Sequence, residues 1–146
     1  MTTRGEKTII AHVPIEAFFA TITDYIAYPH IIDEIKGSEI VERNGNVVIV
    51  AFQLKVLLKG FDYTLRMVEE VPTKLTWSLV SSSSLKQNDG GWSLEAISPT
   101  ETRVTYWNEL AAKSFLPKSF INALARITLP TVLRRWSAYA AQRAKT

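Results

Sequence analysis

The sequence contains no cysteine. Disulfide bonds and thiolate metal sites are therefore excluded, and we expect a reducing, cytoplasmic location. The only two histidines are His12 and His30, and no serine has the flanking glycines of a nucleophile elbow, so the usual parts of a catalytic triad are missing. These absences favour a binding protein over an enzyme. We assign no catalytic residue, and we expect neither a cofactor nor a metal.

Long hydrophobic runs are also missing. Residues 1–14 have only a short apolar run, broken by His12, which does not form the hydrophobic region of a signal peptide. No segment approaches the roughly 20 apolar residues of a membrane span. The 146 residues are 47% hydrophobic and 21% charged. That composition is typical of a globular domain, and we expect a single domain over residues 1–146.

Acidic residues are absent from the C-terminal segment 113–146, which contains seven lysines and arginines. The whole chain carries a net charge of +3, so the remainder is net acidic. A basic segment of this kind predicts contact with anionic lipid, with nucleic acid, or with the acidic remainder of the same fold.

The N-terminal third predicts one strand followed by two short helices. Residues 6–13 are rich in β-branched side chains, which favour a strand. Pro14 suits the start of a helix because its missing N–H would have no partner there. A second short helix is predicted over residues 25–35, with Asp24 as its cap and Gly37 at its end.

The rest of the chain predicts a run of about six antiparallel strands and then one long helix. Alternating apolar and polar residues give each strand one buried face, and Asn44-Gly45 is a strong hairpin signal. Gly90-Gly91 is interpreted as a bulge or a turn. Residues 117–143 repeat apolar side chains at helical spacing, and Pro130 must kink or break this helix.

Three segments in this order resemble the START-like, helix-grip superfamily, which includes polyketide cyclases, Bet v 1-type allergens and coenzyme Q-binding proteins. The segments are HVPIEAFFATITDYIAYPHII, GGWSLEAISPTETRVTYWNEL and FLPKSFINALARITLPTVLRRW. The resemblance implies an α+β helix-grip fold, in which a curved antiparallel sheet of about six to seven strands wraps around a long C-terminal helix. Two short helices follow the first strand. Most members bind hydrophobic small molecules between sheet and helix, and a minority catalyse cyclisation or aromatisation.

Bulky side chains on the predicted inner faces of the strands and of the long helix are the candidate ligand-binding residues. Cavities with apolar walls and a few polar groups are the usual ligand sites. The same residues fill the interior if they pack as an ordinary core, and the pattern leaves both interpretations open. The candidates are Phe52, Tyr63, Leu65, Trp77, Trp92, Tyr106, Asn108, Phe120, Leu124 and Trp136.

Two apolar tips are the candidate entrance to the cavity. Leu57 and Leu58 lie at a predicted hairpin turn, and Phe115 and Leu116 lie in the loop before the long helix. The alternative is that both tips pack into the core. As an entrance, they predict transient contact with a membrane surface, because exposed apolar patches usually mark contacts and the nearby lysines suit anionic headgroups.

The favoured function is a carrier or chaperone for a hydrophobic molecule such as a quinone, a polyketide or a lipid. A cyclase or aromatase that uses the same pocket is the first alternative. A protein that docks on RNA or the ribosome through Arg126, Arg134, Arg135 and Arg143 is the second. The simpler interpretation of those arginines is a solvated face beside acids such as Glu69 and Glu70. A monomer and a homodimer are both compatible with the sequence.

Overall fold

One antiparallel sheet forms the larger part of the fold. The computed structural model describes residues 2–128 and 133–145, and seven strands pair in the order β1-β7-β6-β5-β4-β3-β2. The strands are β1 (Thr2–Ala11), β2 (Ile35–Asn44), β3 (Val47–Val56), β4 (Lys59–Glu70), β5 (Lys74–Ser82), β6 (Leu85–Ser98) and β7 (Glu101–Ala112). From β2 to β7 each strand pairs with the next along the chain, so alternate hairpin turns lie at the same end of the sheet.

The inner face of the sheet follows the alternation of the sequence. In β3 the side chains of Val48, Val50, Phe52 and Leu54 are all buried, and the intervening Gln53 is exposed. Strand β4 repeats the pattern with its own buried set, Phe61, Tyr63, Leu65 and Met67. This burial confirms the predicted inner faces, because an antiparallel sheet covered on one side needs one apolar face.

The turn between β3 and β4 consists of two leucines in an unfavourable backbone conformation. Leu57 has φ 52° and Leu58 has φ 66°. Two central residues with positive φ are the mark of a type I′ turn, which asparagine and glycine favour. A leucine in this conformation costs roughly 1–2 kcal/mol. Core packing does not offset that cost, since the two side chains are 60% and 90% exposed.

Replacing the two leucines with the favoured pair, Leu57→Asn with Leu58→Gly, is expected to stabilise the fold. The free energy of unfolding should rise by about 1–3 kcal/mol, because about 1–2 kcal/mol of strain is relieved at each of the two positions and the glycine returns roughly 0.5–1 kcal/mol of this through its larger loss of entropy on folding. Urea unfolding measures the change. The matched control, alanine at both positions, removes the side chains but keeps the strain and should give no gain. A loss of stability in the Asn-Gly variant would contradict this account of the turn.

Gly90 and Gly91 lie inside β6, so the interpretation as a bulge or turn was wrong. Gly90 pairs with Asn108 and Gly91 with Trp107 without a break in register. A Cβ on Gly90 would lie 2.2 Å from Cζ2 of Trp77, and a Cβ on Gly91 would lie 2.7 Å from Nε1 of Trp107. The two glycines therefore leave room for one indole ring on each face of the sheet.

The second predicted helix is much shorter than expected. Helix α1 (Ile15–Ile22) follows Pro14 as predicted, and then come a single 3₁₀ turn (Tyr25–Ala27) and one turn of α-helix, α2 (Tyr28–Ile31). The helix ends early because Ile35 already belongs to β2, where it pairs with Leu54. Gly37 consequently lies within β2 and does not end a helix.

The predicted cap of that helix was also wrong. The Asp24 side chain makes no capping hydrogen bond. Its carboxylate instead accepts a hydrogen bond from Arg143 at 2.7 Å, which ties the start of the 3₁₀ turn to the C-terminal helix.

The C-terminal part of the chain contains two helical segments, α3 (Lys118–Thr128) and α4 (Leu133–Ala144). Helix α3 packs against β3 and β7, whereas α4 packs against α1 and α2. The predicted kink at Pro130 lies outside the described residues. The curved sheet against a C-terminal helix confirms the predicted α+β helix-grip fold. Among residues 2–128 and 133–145, no helix is long and apolar enough to cross a bilayer.

Candidate functional site

A cavity lies between the inner face of the sheet and helices α2 and α4. Its volume is about 70 Å³, which is room for roughly five to seven water molecules at about 10–15 Å³ each. The described residues that line it are Tyr28, Ile32, Ile35, Phe52, Tyr63, Leu65, Met67, Trp77, Asn88, Trp92, Tyr106, Asn108 and Trp136. The interior is therefore neither solidly packed nor widely open.

Aromatic rings in edge-to-face contact form most of the cavity wall. Trp92 on β6 lies 4.7 Å from Tyr106 and 5.4 Å from Trp136, measured between ring centroids. Trp136 on α4 also meets Tyr28 at 4.8 Å, and Tyr28 stacks on Phe52 at 5.5 Å. Each such pair stabilises the fold by roughly 0.5–1.5 kcal/mol beyond the contribution of its buried apolar area. These contacts connect both helices to the sheet and fix the shape of the wall.

Two asparagines and a tryptophan form a hydrogen-bonded group in the wall. Oδ1 of Asn88 accepts from Nε1 of Trp77 at 3.1 Å and from Nδ2 of Asn108 at 3.2 Å. Oδ1 of Asn108 is buried and has no partner among the described residues. A buried polar atom without a partner is costly, so Asn108 offers an acceptor that a ligand hydroxyl or N–H can satisfy.

Three tyrosine hydroxyls add uncharged polar groups to the wall. Burial raises the pKa of Tyr28, of Tyr63 and of Tyr106 above the ordinary value, so all three phenols are protonated at neutral pH. The Tyr28 hydroxyl donates to the backbone carbonyl of Ile22 at 2.6 Å. Tyr63 makes no hydrogen bond to any described residue, and Tyr106 lies beside the amide of Asn108.

The structure brings eight of the ten predicted ligand-binding residues together around the cavity: Phe52, Tyr63, Leu65, Trp77, Trp92, Tyr106, Asn108 and Trp136. Phe120 and Leu124 do not line the cavity. Both are buried, but they pack in the core and are not among the lining residues. Phe120 packs edge-to-face on Phe61, with 5.2 Å between the ring centroids. Phe61 lies on β4 two residues before Tyr63, nearer to the β3–β4 turn than the cavity is.

Five lining residues were missed by the sequence analysis: Tyr28, Ile32, Ile35, Met67 and Asn88. Met67 continues the inward alternation of β4, so the signal for it was present. Asn88 lies two residues before Gly90 in β6. Because the glycine pair was interpreted as a bulge or a turn, the part of the strand that contains Asn88 was not predicted. Tyr28 and Ile32 reach the cavity because the short helix α2 and the residue after it lie over the sheet, and Ile35 reaches it from the first position of β2.

The candidate entrance residues divide into two groups. Leu57, Leu58 and Phe115 are exposed, whereas Leu116 is buried and does not belong to an open rim. Phe61 and Phe120 lie between this end of the sheet and the cavity, and the ring of Phe61 is 6.1 Å from that of Tyr63. Phe61 and Phe120 therefore separate the exposed residues Leu57, Leu58 and Phe115 from the cavity in this conformation.

Two arginines on the basic face of the C-terminal helix are paired with acids of the N-terminal region. Arg143 binds Asp24, and Nη1 of Arg135 lies 3.8 Å from carboxylate oxygens of both Asp33 and Glu34. The acids named for this role, Glu69 and Glu70, were the wrong ones. Glu69 instead accepts hydrogen bonds from Tyr25 at 2.6 Å and from Arg43 at 3.2 Å. The side chain of Arg126 lies outside the described part of the chain.

No cluster of metal-ligating side chains occurs within residues 2–128 and 133–145. His30 and Glu34 are four residues apart in the sequence, a spacing that places two ligands on one face of a helix. His30 is on α2, but Glu34 lies beyond the end of that helix, so the spacing does not bring them together on one helical face. The described residues that line the cavity include no lysine, arginine, histidine, aspartate or glutamate, and its three phenols are neutral.

Comparison with known proteins agrees with this architecture. The Zhui aromatase/cyclase from Streptomyces sp. R1128 is 12% identical and superposes with a TM-score of 0.85, over 98% of this chain and 96% of that one. A START superfamily protein from Mycobacterium smegmatis is 17% identical, with a TM-score of 0.80 and coverage of 95% and 97%. The protein TTHA0849 from Thermus thermophilus is 11% identical, with a TM-score of 0.79 and coverage of 98% and 97%. At such identities the likeness shows the fold.

None of the curated proteins compared with the sequence matches it. The family model described as "Polyketide cyclase / dehydrase and lipid transport" matches residues 11–136. That range includes every described residue that lines the cavity. The chain therefore belongs to the polyketide cyclase / dehydrase and lipid transport family.

Proposed function

We propose that the protein binds an uncharged, hydrophobic small molecule in the cavity and acts as a carrier or chaperone for it in the cytoplasm. The observation that carries the proposal is the cavity itself. Its wall is aromatic and aliphatic, and its polar groups are limited to three phenols, two amides and indole N–H groups. A site with apolar walls and few polar groups is typical of small-molecule binding.

The size of the cavity limits which part of a ligand it holds. Space for roughly five to seven waters is about the volume of one six-membered ring with a small substituent. An isoprenoid quinone, a polyketide or a fatty acyl lipid is larger than that. Such a ligand would place one ring or chain end inside, and the remainder would pass Phe61 and Phe120 once the contact between them opened.

The charge of the wall limits the chemistry of that inner part. An ionised group buried without a partner is strongly disfavoured, and the described lining residues contain no lysine, arginine or histidine to pair with a carboxylate. A hydroxyl, by contrast, can donate to Oδ1 of Asn108, which has no partner among the described residues, and can accept from Tyr63. A neutral phenol or another hydroxylated ring therefore suits the site better than an acid.

Three matched single-ring probes test this proposal: 4-methylphenol, toluene and 4-methylbenzoate. Binding can be followed by tryptophan fluorescence, because Trp77, Trp92 and Trp136 line the cavity. The phenol should bind about five- to tenfold more tightly than toluene, since a hydrogen bond contributes about 1 kcal/mol. The benzoate should not bind measurably.

The control variants are Tyr63→Phe and Asn108→Leu. Each removes a polar partner and should reduce the preference for the phenol over toluene, while toluene itself continues to bind. Absence of binding by both neutral probes would refute a small-molecule site. Equal affinity for phenol and toluene in the unmodified protein would refute the role given to Asn108 and Tyr63.

A cyclase or aromatase is the second candidate, and the tyrosine hydroxyls favour it. A protonated phenol such as Tyr63 or Tyr106 can donate a proton or a hydrogen bond to a substrate carbonyl. The described lining residues supply no carboxylate or imidazole as a base, which ranks this candidate below binding. An enzyme would convert a bound poly-β-ketone analogue into a product detectable by mass, and Tyr63→Phe or Tyr106→Phe would abolish that conversion but not binding.

A further inference from the structure

From the β3–β4 turn and its surroundings we infer that this end of the sheet docks on an anionic lipid surface. The apolar tip, meaning Leu57, Leu58 and Phe115, supplies the side chains that would enter the bilayer. All three are exposed, and Leu58 is 90% exposed. The inference concerns a surface that is separate from the cavity, and it holds whether or not the cavity takes a ligand.

The apolar tip gathers at one end of the sheet for topological reasons. The turns β3–β4 and β5–β6 lie at the same end, and β7 also ends there before the loop that leads to α3. Nζ of Lys113 donates to the backbone carbonyl of Ser82 at 3.0 Å, which connects that loop to the end of β5. Nζ of Lys59 lies 5.6 Å from the ring of Phe120, which connects the β3–β4 turn to the start of α3.

The charge at this end is strongly positive. The three segments that form it, residues 54–62, 82–87 and 112–119, contain one acid, Asp62. Their basic residues are Lys55, Lys59, Lys86, Lys113 and Lys118. These five lysines and one aspartate give a net charge of +4 in a chain whose total is +3, so the remainder sums to −1. Such a patch is attracted to a negatively charged bilayer.

The shape of the apolar tip favours a bilayer over a folded protein partner. A stable protein interface needs about 800 Å² from each side with good complementarity, and three protruding side chains do not supply it. A bilayer accepts protruding apolar groups without a matching shape, while the lysines around them remain at the headgroups.

The backbone of the turn supports the same conclusion. Leu57 and Leu58 adopt positive φ, where asparagine and glycine would be unstrained. Their side chains stabilise little within the fold because they are exposed. Strained residues of this kind concentrate at functional positions, and what these two residues provide is a pair of apolar side chains at the outermost point of a hairpin.

Co-sedimentation with vesicles tests the inference, with phosphatidylcholine vesicles compared with vesicles that also contain phosphatidylserine. The protein should bind the anionic vesicles at least tenfold more tightly than the neutral ones, and added salt should weaken this binding. The key variant is Leu57→Asn with Leu58→Gly, which removes the leucines but keeps a type I′ turn. It should lose at least tenfold in affinity for anionic vesicles while its melting temperature does not fall.

The matched control is Val41→Ser on β2. Val41 is 58% exposed, close to the 60% of Leu57, but it lies near the β2–β3 turn at the opposite end of the sheet. It should bind vesicles as the unmodified protein does. Failure of the unmodified protein to bind anionic vesicles, or full binding by the Asn-Gly variant, would overturn the inference. So would a concentration-dependent dimer that this variant abolishes, since the apolar tip would then bind a second copy of the chain.

Discussion

Replacing Gly90 by alanine is expected to abolish binding in the cavity and to lower the free energy of unfolding by about 2–6 kcal/mol, the sum of overpacking and a broken buried hydrogen bond. The added Cβ would lie 2.2 Å and 2.5 Å from two ring atoms of Trp77, and 2.8 Å from the backbone oxygen of Trp107. The backbone oxygen is held by the pairing of β6 with β7, so the indole of Trp77 has to move.

Movement of Trp77 would disturb the polar group of the cavity. Its Nε1 donates to Oδ1 of Asn88, which also accepts from Asn108. If the indole is displaced, Asn88 loses one donor and the wall around Asn108 changes shape. Urea unfolding and titration with 4-methylphenol measure the two consequences on the same variant.

Gly91→Ala is the matched control for this prediction. Gly91 is the next residue of the same strand, but its Cβ would point to the outer face, 2.7 Å from Nε1 of Trp107. That indole is only half-buried and lies under Arg4. The control should lose stability while it retains ligand affinity. If both variants lost affinity, the cause would be a general disturbance of β6, and the specific clash with Trp77 would not explain the result.

A second substitution can show that the clash itself is responsible. Trp77→Leu removes both ring atoms that the new Cβ would meet. The double variant Gly90→Ala with Trp77→Leu should therefore lose less stability than the sum of the two single losses, because residues in contact are not additive. Strict additivity would contradict the proposed clash.

The strand positions of the site could be predicted because a strand alternates its side chains between two faces. The alternation of β3 and β4 alone assigns Phe52, Tyr63 and Leu65 to the interior, and the structure places all three at the cavity. The apolar spacing of the last helix similarly turns Trp136 inward. These assignments depend on local periodicity, which the sequence contains directly.

The remaining parts depend on contacts between distant segments. Helical spacing identifies the inner face of α3, but it does not tell which part of the interior that face contacts. Phe120 was therefore assigned to the cavity, whereas in the structure it packs on Phe61. The glycine pair of β6 has the composition of a turn, and its steric role appears only beside Trp77 and Trp107. Tyr28 reaches the wall through a helix of one turn, too short to have a pattern.

The protein is also expected to unfold sharply in alkali, because four of its five tyrosines have a pKa that the fold raises. Burial is the main cause for Tyr25, Tyr28, Tyr63 and Tyr106. When the folded-state pKa lies above the unfolded value near 10, the folded state retains a proton that the unfolded state releases. The stability is therefore complete below about pH 10 and is lost as the pH rises above it.

The expected slope is steep. Each deeply buried phenol removes about 1.4 kcal/mol per pH unit in this range, so Tyr28, Tyr63 and Tyr106 together remove about 4 kcal/mol per pH unit. A domain with a typical free energy of unfolding of about 5–15 kcal/mol would then unfold at about pH 11 to 14. Tyrosinate absorbance and tryptophan circular dichroism, recorded on the same samples, should change in one coincident transition.

Tyr63→Phe is the informative variant for this transition. Burial alone raises the pKa of Tyr63, and its hydroxyl bonds to no described residue, so the substitution removes one titrating group with little other change. The slope above pH 10 should decrease by about 1.4 kcal/mol per pH unit, and the midpoint should move to higher pH. If the buried hydroxyls instead ionised gradually before the circular dichroism changed, water would have access to the cavity wall, and the dry aromatic site from which a neutral ligand was inferred would have to be abandoned.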